Sequence, residues 1–344
     1  MNGVGTLRFG VYLNLYWDEH GSVMPAAVEQ ARLAEDLGFD WLVLGERHLH
    51  RPGYHEILSS AAWLAAHTRR IGIATAGIIL PVYPPAFLAE TLAHLDVLSG
   101  GRLTAGFVLG YRAEEFSMFE TDQRHRRGLF EEGLRIVKRL WAGERVTFHG
   151  RHHHLDDVFI APLPTQRPRP RIWNGGRVEA ALRRTAGECD GWTTSFNEEQ
   201  DELAPKIAAY RSLPNGPDSL GSEVIVLRDG FCAPTSRSAR ETLEEPLLEL
   251  YGEYANWKRG SVDAGRYRGV DWDTAARRLV VGSPQQVLEE LEAYRAMGAD
   301  GVVLRVQPPG LDQSATLRCL ELLGTHVLPH FSTDPHPAVP SSGG

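Results

Sequence analysis

The most constraining feature of this chain is an apolar strand followed by an amphipathic helix, repeated at a nearly constant interval. Strand cores near positions 9, 41, 71 and 103 follow one another at spacings of 32, 30 and 32 residues. The segments Leu7 to Leu15, Trp41 to Leu44, Ile71 to Ala76 and Leu103 to Val108 are apolar enough to be buried on both faces. Such strands, separated by helices, predict a parallel sheet with helices packed over it. The first helix carries its own start and stop signals. Met24, Ala27, Val28, Ala31, Ala34 and Leu37 share one face, Ser22 stands at a capping position, and Gly38 stands where a terminating glycine belongs.

After Val108 the rhythm breaks. A periodic helix with Leu129, Phe130, Gly133, Ile136, Val137, Leu140 and Trp141 is followed by a His- and Pro-rich excursion up to Pro170. Strands resume at Arg171 to Asn174, Gly191 to Thr194 and Glu223 to Leu227. A second excursion, Arg228 to Arg278, precedes a helix opened by Ser283-Pro284-Gln285-Gln286 and a last strand at Gly301 to Val306. Eight strands with their helices predict an α/β fold, a (β/α)8 TIM barrel forming one domain over 1–331. The insertions fall at about 111–170 and 228–278 on the strand C-terminal side, and 332–344 is expected to be a disordered tail rich in Pro, Ser and Gly. An open dinucleotide-binding sheet would need G-x-G-x-x-G after an early strand, and no βα junction here carries it.

Composition excludes several classes of function. The net charge of −8 and the absence of a long basic run argue against nucleic-acid binding. No stretch of about 18 apolar residues exists to span a membrane, and the first residues lack a charged-then-apolar leader, so a cytoplasmic protein is expected. Cys189, Cys232 and Cys319 are odd in number and widely spaced, and are expected to be buried thiols.

In a barrel of this kind the site is built by the loops after the strand C-termini. Here those loops hold Gly, aromatics, Asn, His and Arg, with Glu46 the only strand-end carboxylate. Glycoside hydrolysis needs two such carboxylates. A hydrolytic metal centre needs imidazoles on several strands, whereas His48-Leu49-His50 and His152-His153-His154 lack partner ligands, so no metal is expected. In Ile172-Trp173-Asn174-Gly175-Gly176-Arg177 a strand ends in two glycines at the start of a helix. That junction suits close approach of a phosphate to backbone N–H groups, and it equally suits a tight βα turn.

The motifs taken together resemble one family. Trp41-Leu42-Val43-Leu44-Gly45-Glu46-Arg47-His48, Ile78-Ile79-Leu80-Pro81, Leu98-Ser99-Gly100-Gly101-Arg102, Leu109-Gly110-Tyr111-Arg112-Ala113-Glu114-Glu115-Phe116 and the Asn174-Gly175-Gly176 turn are similar, in order and spacing, to the luciferase-like flavin monooxygenases. The resemblance runs from about Leu7 to Phe331. It implies a (β/α)8 barrel with reduced FMN, or a deazaflavin, across its mouth. The phosphate would lie at Gly175 and Gly176, flanked by Asn174 and Arg177, with Arg127 as a cationic partner or, on the other reading, a surface charge. Tyr111 would border the cofactor, and Ala76-Gly77 matches the position of a non-prolyl cis peptide against the flavin ring.

Two departures qualify the resemblance. Luciferases proper carry Glu-His-His where this chain has Glu46-Arg47-His48, and Val108 stands at the position of their reactive cysteine, so light emission is not expected. His48, with Glu46 and Arg47 beside it, is the expected general acid or base. Trp17, Tyr83, Trp192 and Phe196 are the expected walls of a pocket for a small hydrophobic or aromatic substrate. The implied activity is a monooxygenation with dioxygen, using reduced FMN from a separate flavin reductase. A deazaflavin-dependent dehydrogenase or reductase, and a non-catalytic flavin-binding protein, are the alternatives, and a homodimer is compatible with the family.

Overall fold

The computed structural model describes residues 6–15, 17–18, 21–22, 24–49, 56–257 and 264–331. The eight expected strands are all present: β1 (Arg8–Tyr12), β2 (Trp41–Leu44), β3 (Gly72–Thr75), β4 (Leu103–Val108), β5 (Arg171–Gly175), β6 (Gly191–Thr193), β7 (Glu223–Cys232) and β8 (Gly301–Arg305). Each pairs in parallel with its neighbours in the order β5-β6-β7-β8-β1-β2-β3-β4. β4 then pairs back with β5, with Thr104 opposite Arg171 and Phe107 opposite Asn174, which closes the barrel. Residues 332–344, expected to form a tail, lie outside the described residues.

Strand geometry sorts the side chains into two cores, because successive residues point to opposite faces. Val11, Leu42, Ile73, Ala105, Ile172, Val224 and Val302 face outward and pack under helices such as Met24–Asp36, Ile57–His67, Pro85–Ser99, Arg126–Trp141 and Gln313–His326. Tyr12, Trp41, Val43, Ala74, Trp173, Ile225, Leu227 and Val303 face inward and fill the barrel. Its N-terminal end is plugged by the edge-to-face pair Trp41 and Trp173, 5.2 Å between ring centres, by Arg8 over Trp41, and by Glu223 bound to both Arg8 (2.6 Å) and the Trp173 Nε1 (3.0 Å). Among the described residues the N-terminal end is therefore filled, and the barrel opens at its C-terminal mouth.

One strand is longer than the sequence pattern suggests. β7 continues past Leu227 to Cys232; its first half pairs with β8 and its second half with Leu279–Gly282. Ahead of it, the connection between β4 and β5 holds the short helix Ala113–Met118 and an antiparallel ribbon, Val146–His149 with His154–Val158. In the ribbon the Glu132 carboxylate accepts the backbone N–H groups of Arg151, His152 and His153 at 2.9 to 3.0 Å, so the histidine run is a turn held by its backbone. All three cysteines are buried and free, and burial pushes the Cys189 and Cys232 thiols up to about 12.

The β3–β4 seam leaves no room for a side chain at Gly106. A Cβ there would lie 1.8 Å from the Thr75 carbonyl oxygen. Gly106→Ala is expected to cost about 3 kcal/mol, at the upper end of ordinary overpacking. Urea unfolding measures this, and an unchanged midpoint would show that the seam is looser than described.

Candidate active site

The strand alternation that fills the barrel also selects the residues at its mouth. Continuing the inward parity from Val43, Ala74, Trp173, Ile225 and Val303 gives Gly45 and Arg47, Ala76, Gly175, Leu227, and Arg305. All of these border one cavity of about 380 Å³ at the mouth. Val108, Tyr111, Gly176, Arg177 and Phe196 border it too, and so do Tyr254 and Tyr267 from the second insertion. The Ala76–Gly77 peptide in its wall is cis.

At one end of the cavity β5 turns into the helix Glu179–Glu188. Val178 occupies the cap position without a side-chain hydrogen bond to the first turn. The first N–H groups of the helix thus lack a side-chain partner, and the positive end of the helix dipole meets the cavity. The turn is tight as well: a Cβ on Gly176 would lie 2.5 Å from that of Ala181. The tight-turn reading of the two glycines therefore holds for Gly176, which also borders the cavity. One helical turn after Ala181 stands Arg184, whose Nε and Nη2 are buried without a hydrogen-bond partner while its guanidinium lies 5.1 Å from the Phe130 ring. Burial lowers the pKa of Arg184 and of Arg177, yet an arginine stays charged in proteins. Glu179, the carboxylate of the first turn, points away to Arg183 at 2.6 Å. Unsatisfied guanidinium N–H groups, an uncapped helix start and a side-chain-free turn fit a phosphate.

Four expected cofactor or pocket residues, Asn174, Trp192, Arg127 and Tyr83, stand elsewhere. Asn174 has outward parity and is fully buried; its amide donates to the Phe107 carbonyl (2.8 Å) and its oxygen accepts from the Thr185 hydroxyl (2.9 Å). Trp192 is also outward, and its Nε1 donates to the Gly176 carbonyl at 2.7 Å, so it supports the turn from behind. Arg127 is largely exposed and paired with Glu131 at 2.8 Å, and lines a neighbouring groove that shares Arg184 with the mouth cavity. Trp17 lies in a two-residue strand, and its side chain is outside the described residues.

The Glu46-Arg47-His48 segment splits between two environments. Glu46 is fully buried: Oε2 accepts the Ile79 N–H (2.6 Å), and Oε1 accepts the Tyr83 hydroxyl and lies 3.0 Å from His48 Nε2. His48 and Tyr83 both pack on Phe119 and line a second, largely apolar cavity behind the wall, not the mouth. Burial alone would lower the His48 pKa, but the hydrogen bond and charge of Glu46, with Glu115 and Glu56 further off, raise it above its ordinary value. Arg47 does reach the mouth. Its Nη1 donates to the Tyr111 hydroxyl at 2.7 Å, and the guanidinium lies 5.4 Å from the Tyr111 ring and 5.0 Å from the Trp257 ring.

Opposite, Arg305 is buried and hydrogen-bonded to Asp229 and to the Tyr254 hydroxyl, both at 2.5 Å, with the Phe196 ring 4.3 Å away. Asp229 also accepts from Tyr251 at 2.8 Å. Among the described residues no group of three or more His, Cys, Asp or Glu side chains is arranged to hold a metal, and no helix is long and apolar enough to cross a membrane.

Comparison with known proteins gives the family. The luciferase-like monooxygenase model matches residues 10–301. The chain belongs to that family of flavin-dependent oxidoreductases. It is 28% identical over 333 residues to the FMNH2-dependent dimethylsulfone monooxygenase of Pseudomonas putida, spanning 87% of this chain and 85% of that protein. It is 26% identical over 322 residues to the F420-dependent glucose-6-phosphate dehydrogenase of Microbacterium testaceum, spanning 87% and 91%. Among solved structures, monooxygenase RslO1 of Streptomyces bottropensis superimposes with a TM-score of 0.82 at 25% identity, covering 95% of this chain and all of the other.

The raised pKa of His48 gives a sign to its effect on stability. A raised folded-state value adds stability that is complete below the ordinary value of 6.5 and is lost as pH rises through the folded-state value. The stability gap between wild type and His48→Gln is therefore expected to be widest below pH 6.5 and to narrow at higher pH. Chemical denaturation across that range reads it directly, and a gap that widens with pH would mean the imidazole is bound neutral.

Proposed function

We propose that the protein is a monooxygenase that takes reduced FMN from a separate reductase and uses dioxygen to oxygenate a small organic substrate with an apolar or aromatic body. The observation that carries the cofactor assignment is Arg184, with two buried guanidinium nitrogens unsatisfied beside the Gly175–Gly176 turn. FMN, once bound, supplies the redox chemistry and the activation of dioxygen. Arg184, Arg177 and the backbone of the turn hold its phosphate. Ala76, Gly77 and Val108 present small or flat surfaces to its ring system, and Phe196, Leu227, Tyr254 and Tyr267 form an apolar and aromatic wall that excludes water from the substrate. On the β2 side of the mouth, Glu46, which borders the cavity, and His48 behind it hold a proton between Oε1 and Nε2.

The FMNH2-dependent dimethylsulfone monooxygenase supports FMN, and both it and monooxygenase RslO1 support oxygenation. The F420-dependent relative supports a second reading, hydride transfer with a deazaflavin whose phosphate would use the same turn. Anaerobic titration with reduced FMN and, separately, reduced F420, followed by admission of air, separates them. Binding of reduced FMN and its rapid reoxidation in air are expected, while binding of F420 alone would overturn the oxygenase. Arg184→Gln is expected to weaken FMN by about tenfold or more, the loss of one charge-assisted contact. Unchanged affinity would remove the phosphate assignment.

A further inference from the structure

The buried Glu46–His48 pair lies on the partition between two cavities. Glu46 borders the mouth, whereas His48 and Tyr83 line the second cavity, of about 880 Å³. Phe87, Leu98 and Met118 line that cavity too and are each more than half exposed, so it opens to solvent. His48 Nε2 lies 3.0 Å from Glu46 Oε1, while Nδ1 has no hydrogen-bond partner among the described residues. The other charged and titratable groups near the ring are engaged elsewhere. Glu115 accepts the His48 backbone N–H at 3.1 Å and Arg112 donates to its carbonyl at 2.7 Å, so both hold the backbone of His48 and not its ring. Glu56 caps the next helix through the N–H groups of Leu58 and Ser59. Tyr83 donates to the same Glu46 oxygen, and burial together with that carboxylate raises its pKa so far that it keeps its proton. Glu90 and His94 line the second cavity from exposed positions on the Pro85–Ser99 helix.

We propose that the second cavity is the proton entrance of the active site, and that His48 relays protons from it through Glu46 to the mouth. An imidazole suits this task because it takes up and releases a proton near neutral pH. Burial opposes the protonated ring, but Glu46, with Glu115 and Glu56 further off, outweighs burial and raises the His48 pKa, so the ring has a proton to pass on. Nε2 gives that proton to Oε1 of Glu46, and the ring becomes neutral. Glu46, now a neutral acid, passes the proton to the mouth and returns to the carboxylate, and the ring takes up another from solvent in the second cavity. Only N–H and O–H bonds form and break, and the net result is one proton moved from the second cavity to the mouth. The proposed reaction needs that proton behind a wall that keeps water out. Anionic reduced FMN, dioxygen and one proton give FMN and hydrogen peroxide; with substrate present, they give FMN, the oxygenated product and water.

The relay rests on the proposed oxygenase only for its proton demand, and its first test needs no cofactor. Diethyl pyrocarbonate, which acylates neutral imidazole, is applied in mildly alkaline solution with and without FMN, and the labelled histidines are mapped by mass spectrometry. His48 is expected to be labelled equally in both, and Ala62→Trp, whose added bulk lies in the second cavity, is expected to cut the labelling severalfold. No label on His48, protection by FMN, or unchanged labelling in Ala62→Trp would each overturn the route. The second test follows reoxidation of bound reduced FMN after oxygen is admitted. His48→Ala is expected to slow it about a hundredfold, within the range of a positioned proton-transfer group, and added imidazole to restore most of the rate. Ala62→Trp is expected to slow it at unchanged FMN affinity, with thermal melting used to check that both variants are folded. A wild-type rate in either variant, or a slow His48→Ala that imidazole does not rescue, would contradict the relay. Failure of FMN to bind would instead sink the cofactor reading, and the labelling would still decide whether His48 is reached through the second cavity.

Discussion

The mouth of this barrel depends on one buried amide. Asn174 closes the seam between β4 and β5 through the Phe107 carbonyl and ties the following helix to the same point through Thr185. Because Asn174 faces outward, Gly175 must face inward, and the chain then has a single turn in which to begin the helix. Trp192 holds the Gly176 carbonyl from behind, and Ala181 packs directly on Gly176. The Gly176 carbonyl is thus held by the protein, while the turn and a helix start without a side-chain cap border the cavity. Leaving either partner of a buried hydrogen bond unpaired costs about 1–3 kcal/mol, so the clasp fixes the position of the turn more firmly than loop residues alone would.

Around that turn the charges are arranged by depth. Arg184 and Arg177 stand at the glycine-turn end, Arg47 stands across the mouth, and the Arg305–Asp229 pair stands beside the second insertion. Buried ion pairs contribute little net stability because desolvation offsets the attraction, and their clearer effect here is geometric. Arg305 holds Tyr254 and, through Asp229, Tyr251, which fastens the long helix Ser236–Trp257 to the barrel and brings Trp257 over Arg47. This side of the cavity is thus built from the barrel and from an insertion tied to it through Arg305 and through Arg266, which binds Glu202.

Much of this was legible in the sequence, and the remainder was hidden for identifiable reasons. The 32-30-32 spacing located the first four strands, and the flanking apolar segments located the other four. The two-residue period of a strand explains the displaced site residues: Asn174 and Trp192 are strand-end residues of outward parity, whereas Gly175, Leu227 and Arg305 share the inward parity of Trp173, Ile225 and Val303. Arg184 could have been found from Ala181, since residues three apart on a helix share a face. Arg127 drew attention because it opens a helix, but that helix presents it to solvent. Tyr254 and Tyr267 had no such signal, because an insertion follows no barrel period. His48 was misleading because a strand-end histidine resembles a mouth residue until the buried Glu46 carboxylate claims it.

The central claim is that a flavin phosphate binds at the Gly175–Gly176 turn and sets the direction of everything else in the cavity. A crystal structure of the protein soaked with FMN tests it most directly. The phosphate is predicted within hydrogen-bonding reach of Arg184 and the backbone of the turn, with the ring system against Ala76, Gly77 and Val108. A phosphate bound anywhere else along the mouth, with Arg184 still unsatisfied, would contradict the account.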